Sequence, residues 1–197
     1  MANVVGSAIS RATTALLDAD VQLAHDAIST TEKIHDLQCD LEDQMLAELA
    51  RQQQVPADLR VVVTSLQMSA DLKRCSDLAK RVANLALVSY PKCVVPPDLR
   101  GTVSKIGQQA QRLMMQTVDV ILTHDVGAVL QLEQARVIVH HLVDDPRQYG
   151  DGTAMDITLV RCCYEQFVDH AASIARRVIY LIRAERVDDL STDPPYA

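Results

Sequence analysis

The stretch from Pro56 to Ser89 holds no proline after its first residue, and this limits the possible folds more than any other feature of the chain. Proline is tolerated in the first turn of a helix, and Asp58 close behind it suits the positive end of the helix dipole. Pro91 closes the run. At about 1.5 Å per residue such a helix is on the order of 50 Å long, far beyond the globular average. Helices of that length belong to elongated bundles. Composition points the same way: 48% of residues are apolar, only 3% are aromatic and Trp is absent. The core must therefore be built from Val, Leu, Ala, Ile and Met, the mixture of packed helices rather than of a sheet.

The rest of the chain divides around that helix. A first helix covers about residues 1–18 and turns at Asp18-Ala19-Asp20. A second, about 20–53, carries apolar Leu23, Ala27, Ile34, Leu37, Leu41, Met45 and Leu49 at helical spacing. The stiff segment 92–97, with Pro96-Pro97, is the midpoint boundary. Further helices are expected over about 98–123, 126–143 and 153–185, with a turn at His124-Asp125 and a loop at 149–152. Residues 188–197 are acidic and proline-bearing, the composition of a disordered tail. The expected organisation is all-α: two tandem three-helix bundles, residues 1–91 and 96–187.

The second half echoes the first. Asp77-Leu78-Ala79 returns as Asp169-His170-Ala171 at an offset of 92 (169 − 77), and Asp18-Ala19-Asp20 returns as Thr123-His124-Asp125 at an offset of 105 (125 − 20). One duplication should give one offset. The difference implies that the second copy is shorter between its first turn and its last helix, so its middle helix, the fifth of the chain, is the short one.

Charge and cysteines exclude several classes. The formal net charge is −7, which is no footprint for nucleic acid or anionic lipid. Arg176-Arg177 with Arg183 and Arg186 is the best local basic patch, read as side chains favoured by a helix C-terminus. Five cysteines, odd in number and without a C-x-x-C pair, fit neither a disulfide framework nor a zinc knuckle. Reduced thiols in the cytoplasm are expected, with Cys162 and Cys163 as packing residues whose acidic neighbours raise the thiol pKa. No run of about twenty uncharged apolar residues is present, so no membrane insertion is expected. No Gly-x-Ser-x-Gly, Walker or dinucleotide fingerprint appears, so no catalytic residue is assigned.

The remaining signal is in residues 161–178. Glu165 and Asp169 are four apart and share a helix face, beside apolar Val168, Ala171, Ile174, Ala175 and Val178. Tyr164-Glu165-Gln166-Phe167-Val168-Asp169-His170-Ala171 resembles the motif of the PhoU family of phosphate-signalling regulators, and Asp71-Leu72-Lys73-Arg74-Cys75-Ser76-Asp77-Leu78-Ala79 is its first copy. The residues 11–20 and 175–179 are further matches, actinobacterial-like in character. The resemblance covers nearly the whole chain. It implies two tandem three-helix bundles, here shortened at helix 1 and helix 5, and acidic residues that hold metal ions. It also implies a cytoplasmic regulator that damps phosphate import and the starvation response, linking the ATPase of a phosphate ABC transporter to a phosphate sensor histidine kinase.

The departures from the motif matter. The first-motif Glu is Lys73, and the acid pair of the second helix falls on Thr31 and His35, with Glu32 and Asp36 one position on and expected to point elsewhere. Lys73 and Asp77 should form an internal salt bridge, leaving that site without metal. Glu165 and Asp169 are the candidate metal residues, for a divalent cation (Mg, Mn, Fe or Zn) held weakly, because such ions want about six oxygens. Arg161 should pair with Glu165, and only Glu133 remains as an acid in the region of the fifth helix. Glu32 and His35 match the E-x-x-H spacing of di-iron bundles by chance, since no second copy occurs. His141 with Asp145 is read as a polar helix end, and Met114-Met115 as core filler. Two other readings stay open: a helical interaction scaffold without metal or phosphate role, and a carboxylate-bridged metal oxidoreductase. A shortened helix 1 leaves apolar surface on the first bundle, so a homodimer or a marginally stable fold is expected.

Overall fold

The computed structural model describes residues 1–51, 56–125 and 151–191, together with Gly127, Leu132, Gln134, Arg136 and Val137. It contains α1 (Ala2–Asp18), α2 (Val21–Arg51), α3 (Pro56–Ser89), α4 (Arg100–Thr123) and α5 (Asp151–Ser191), with no strand among the described residues. The isolated residues described between α4 and α5 are helical, and Leu132 among them is fully buried. They fall within the expected fifth helical segment. Glu133, His140, His141, Asp144 and Asp145 lie outside the described residues. No helix among the described residues is long and apolar enough to cross a membrane.

The two turns are alike in detail. Ala19 closes α1 at φ 52°, with its N–H donating to the Ala15 carbonyl. His124 closes α4 at φ 57°, with its N–H donating to the Val120 carbonyl at 2.9 Å. Neither is glycine, so each left-handed cap costs on the order of 1 kcal/mol and is held by the packing around it. They are 105 residues apart, the offset of the turn echo (124 − 19). The aspartate that follows each cap starts the next segment: Asp20 Oδ1 accepts from the Leu23 N–H at 3.0 Å, and Asp125 Oδ1 from the Gly127 N–H at 2.7 Å.

The bundles α1–α2–α3 and α4–α5 share one hydrophobic cluster. It runs from Val5, Ile9 and Leu16 of α1 through Cys75 and Val82 of α3 to Ile106 and Leu113 of α4 and Phe167 and Ala171 of α5. Helix α1 sits at its centre and packs on α2, α3 and α4, while α5 packs on α3 and α4. Small residues permit this. A Cβ added to Gly107 of α4 would lie 2.3 Å from Thr13 Cγ2, so α1 and α4 meet almost backbone to side chain. The Thr13 hydroxyl donates to the Ile9 carbonyl at 2.7 Å, which leaves the Tyr164 phenol as donor in the 2.7 Å bond between the two hydroxyls. Both groups are buried, and each satisfies the other.

Helix α3 runs antiparallel to α5, with the Cys75 thiol donating to the Phe167 carbonyl at 3.6 Å. These two residues are 92 apart, the motif offset (167 − 75). Equivalent positions of the two repeats thus touch across a local pseudo-twofold axis.

Two boundaries differ from the sequence expectation. Helix α5 begins at Asp151 and continues to Ser191, so residues 188–191, expected in the disordered tail, are helical. Acidic residues alone do not end a helix, and the next proline is Pro194. Residues 192–197 lie outside the described residues. Helix α1 has 17 residues against 31 in α2 and 34 in α3, so the long pair overhangs it and leaves Leu46, Leu59 and Val61 exposed.

Candidate functional site

The second motif lies on α5. Arg161 Nε donates to Glu165 Oε1 at 2.7 Å, the pair expected from the sequence. Asp169 Oδ1 accepts from Arg136 Nη1 at 2.8 Å, a partner 33 residues upstream that no local spacing announces. Both carboxylates are therefore committed to guanidinium groups. A divalent cation would have to compete with two fixed positive charges for two carboxylates. Among the described residues no three His, Cys, Asp or Glu side chains converge. This donor set does not fit a multi-carboxylate metal centre.

The first motif lies on α3, where Lys73 Nζ donates to Asp77 Oδ1 at 2.5 Å. The pair borders an open groove shared with Lys80 and with Thr31, Glu32, His35 and Asp36 of α2. Glu32 and Asp36 thus line the same groove as Thr31 and His35, contrary to the expectation that they point away. The groove is wide enough for positions 100° apart on α2 to form its wall and its rim. The Thr31 hydroxyl is buried and has no hydrogen-bond partner among the described residues.

The two motif helices are joined by a residue to which the sequence reading gave no role. The Asp71 side chain is 4% exposed and accepts from His170 Nδ1 at 3.0 Å and Arg177 Nε at 3.3 Å, with Arg74 Nη1 at 3.5 Å. His170 follows Asp169 in the motif of the second repeat, yet it points away from Glu165 and Asp169 and closes the contact between repeats. Arg177 also donates to Gln67. A signal for Asp71 was present: it lies on the helical face of buried Cys75, Leu78, Ala79 and Val82, and an acid on an apolar face needs a partner.

Burial sets the chemistry of the nearby titratable groups. The Cys75 thiol is pushed well up from its ordinary pKa, mainly by burial and then by the Asp71 charge. Burial also raises Cys163, with the Arg81 guanidinium opposing and Cys162 adding to it. Cys162 is exposed, so only one of the adjacent thiols is a packing residue, and desolvation dominates over acidic neighbours. The Tyr164 phenol is raised by burial against the opposing hydrogen bond with Thr13. Met114 is buried as expected, whereas Met115 is 42% exposed. Arg176 and Arg177 stand mid-helix because α5 continues past them, and with Arg60 they line a groove of about 680 Å³ between α3 and α5.

The model of the PhoU domain matches residues 1–86. Over 188 residues the chain is 36% identical to the Phosphate-specific transport system accessory protein PhoU homolog 2 of Mycobacterium tuberculosis, covering 91% of this chain and 88% of that protein. The chain belongs to the PhoU family. It is 35% identical to PhoU homolog 1 of Mycobacterium leprae, with 91% of this chain and 85% of the relative covered. Its backbone superposes on the crystal structure of PhoU from Pseudomonas aeruginosa with a TM-score of 0.80 at 26% identity, covering 93% and 92% of the two chains. The PhoU structure from Streptococcus pneumoniae, at 19% identity and a TM-score of 0.73, shares the fold. Within the PhoU fold the helix pair α3–α5 carries both motifs, and Asp71 is the buried charge between them.

Proposed function

We propose that this chain regulates phosphate uptake and phosphate-starvation signalling in the cytoplasm, as a homodimer that binds other proteins through its helical faces and turns over no substrate. The observation that carries the reading is 36% identity, over 91% of this chain, to a protein named as an accessory of phosphate-specific transport. The ATPase of the phosphate ABC transporter and a phosphate sensor histidine kinase are the proposed partners. Nucleic acid is not among them, given the net charge of −7. Deletion of the gene should derepress phosphate uptake in phosphate-rich medium, read as tracer uptake per cell. Unchanged uptake in a strain without a second PhoU gene would overturn the assignment.

Glu165 and Asp169 form, in this proposal, a vestigial cation site. Arg161 and Arg136 already neutralise them, and Lys73 replaces a ligand at the first motif. The same observations favour a second reading, a helical scaffold that needs no metal. Calorimetric titration with Mn²⁺ distinguishes the two: weak binding lost in Asp169→Ala supports the vestigial site, and no heat at millimolar Mn²⁺ supports the scaffold.

A further inference from the structure

We infer that the apolar pocket where α1, α3 and α4 meet seats helix α4 of a second copy of this chain, through its stripe Met115, Val118 and Leu122. The inference rests on the proposed homodimer and not on the phosphate role, and it says where that dimer forms.

The two repeats differ at one pair of matching places. In the second repeat Leu99, Val103 and Ile106 close on Ile157, Val160 and Tyr164 of α5, and the space left among them is about 20 Å³. At the motif offset of 92 those three α5 residues answer to Ser65, Met68 and Leu72 of α3 (157 − 65, 160 − 68, 164 − 72). All three line an open pocket of about 340 Å³. Helix α4 reaches back to Arg100, whereas α1 begins at Ala2, the mate of Gly107 (107 − 105). The described α1 therefore offers no counterpart of Leu99 or Val103. The opposite wall shows the consequence. Leu17 of α1 packs on the apolar cluster beside Cys93, whose thiol donates to the Leu17 carbonyl at 3.3 Å. Its mate on α4, Leu122 (122 − 17 = 105), is 75% exposed.

The closed seat of the second repeat describes what the open one accepts. Its cover is aliphatic, with Leu99, Val103 and Ile106 at i, i+4 and i+7. The open seat suits the same chemistry with more bulk. Among the described residues no charged side chain lines it, and the Ser69 hydroxyl is already bonded to the Leu66 carbonyl at 2.9 Å. Ser65 stands where the second repeat has Ile157, Ser69 where it has Arg161, and Leu72 where it has Tyr164, so three wall positions are smaller than their mates. Helix α4 carries a fitting stripe at the rim. Met115, Val118 and Leu122 stand at i, i+3 and i+7, and Met115 is 42% exposed. Val118 and Leu122 form a wall of their own chain's pocket and so cannot fill it. Seat and stripe are adjacent, which makes the patch self-complementary. A twofold axis beside α4 places each copy's stripe in the other's seat and covers both exposed leucines.

Sedimentation equilibrium on the full chain tests this. The wild type should dimerise with a constant that salt changes little, since the contact is apolar. Leu122→Glu should weaken self-association at least tenfold, and Ser65→Arg should do the same from the seat. Mixed one to one, the two variants should associate again, one contact being native and the other pairing the introduced Glu with the introduced Arg. A fold defect could not give that recovery. Val88→Glu is the control: Val88 is 85% exposed and lies on α3 about 24 Å beyond Leu72 (88 − 72 = 16 residues), so its change should leave the dimer intact. A monomeric wild type at millimolar concentration overturns the inference and the proposed homodimer together. A folded Leu122→Glu variant that dimerises as the wild type does, a Val88→Glu variant weakened as much, or two folded variants that do not recover on mixing overturn the inference alone and leave the homodimer on another surface. Should Leu122→Glu or Ser65→Arg fail to fold, Leu122→Ser against Val88→Ser decides in the same way.

Discussion

The first and second motifs meet the same electrostatic problem with different cations. On α3 one member of the acid pair has become Lys73, which bonds to Asp77 one turn on. On α5 both acids remain, and an arginine covers each, one from the same helix and one from 33 residues upstream. The first solution is local and survives any rearrangement of the bundle. Half of the second depends on tertiary structure, because Arg136 reaches Asp169 only when its segment packs on α5. Charge neutralisation is thus common to both repeats, while only the second can be undone without changing the motif itself.

The largest effect should come from the residue that joins the two. Asp71→Ala removes a buried carboxylate from His170 and Arg177 and should cost about 3 kcal/mol in urea unfolding. Asp71→Asn, which keeps a hydrogen-bond acceptor, should cost less. A cost for Asp71→Ala no larger than that of a surface pair would deny the junction any special role.

A second test separates the motifs by their cations. Arg136→Ala with Arg161→Ala should raise Mn²⁺ affinity at Glu165 and Asp169 roughly tenfold, equivalent to about 1.4 kcal/mol. The first motif should respond only to Lys73→Glu, which supplies the missing ligand. Calorimetry reads both. Equal responses to the arginine changes at the two motifs would erase the contrast.

Alkaline stability sharpens it further. The thiols of Cys75 and Cys163 and the Tyr164 phenol all have folded pKa values above their unfolded ones. The folded state therefore holds these protons more tightly, and the stability they contribute is complete below the unfolded pKa and is lost as pH rises. Denaturant midpoints should fall above about pH 9. Cys75→Ala should flatten that arm more than Cys163→Ala, since the first-motif thiol is the more strongly shifted. The smallest effect belongs to Lys73→Met, a few tenths of a kcal/mol, as for an exposed i,i+4 pair.

What could be read in the sequence divides along the same line between local and distant. The span of α3, both turns and the pairs Lys73–Asp77 and Arg161–Glu165 follow from spacing within one or two turns of chain, and the sequence carries them openly. Arg136–Asp169 and Asp71–His170 depend on how one helix is set beside another, which no local periodicity encodes. Asp71 left a trace, an acid on an apolar face. Arg136 left none. Helix α5 runs on to Ser191 past the acidic residues because no helix breaker stands before Pro194.

The position of α1 between α3 and α4 bears on how the two repeats can be separated. The prolines near residue 96 look like a place to cut the chain, but the apolar cluster ignores them. A protease that nicks there should leave two fragments that still migrate together. Expressed separately, each half should be insoluble; expressed together, they should reconstitute.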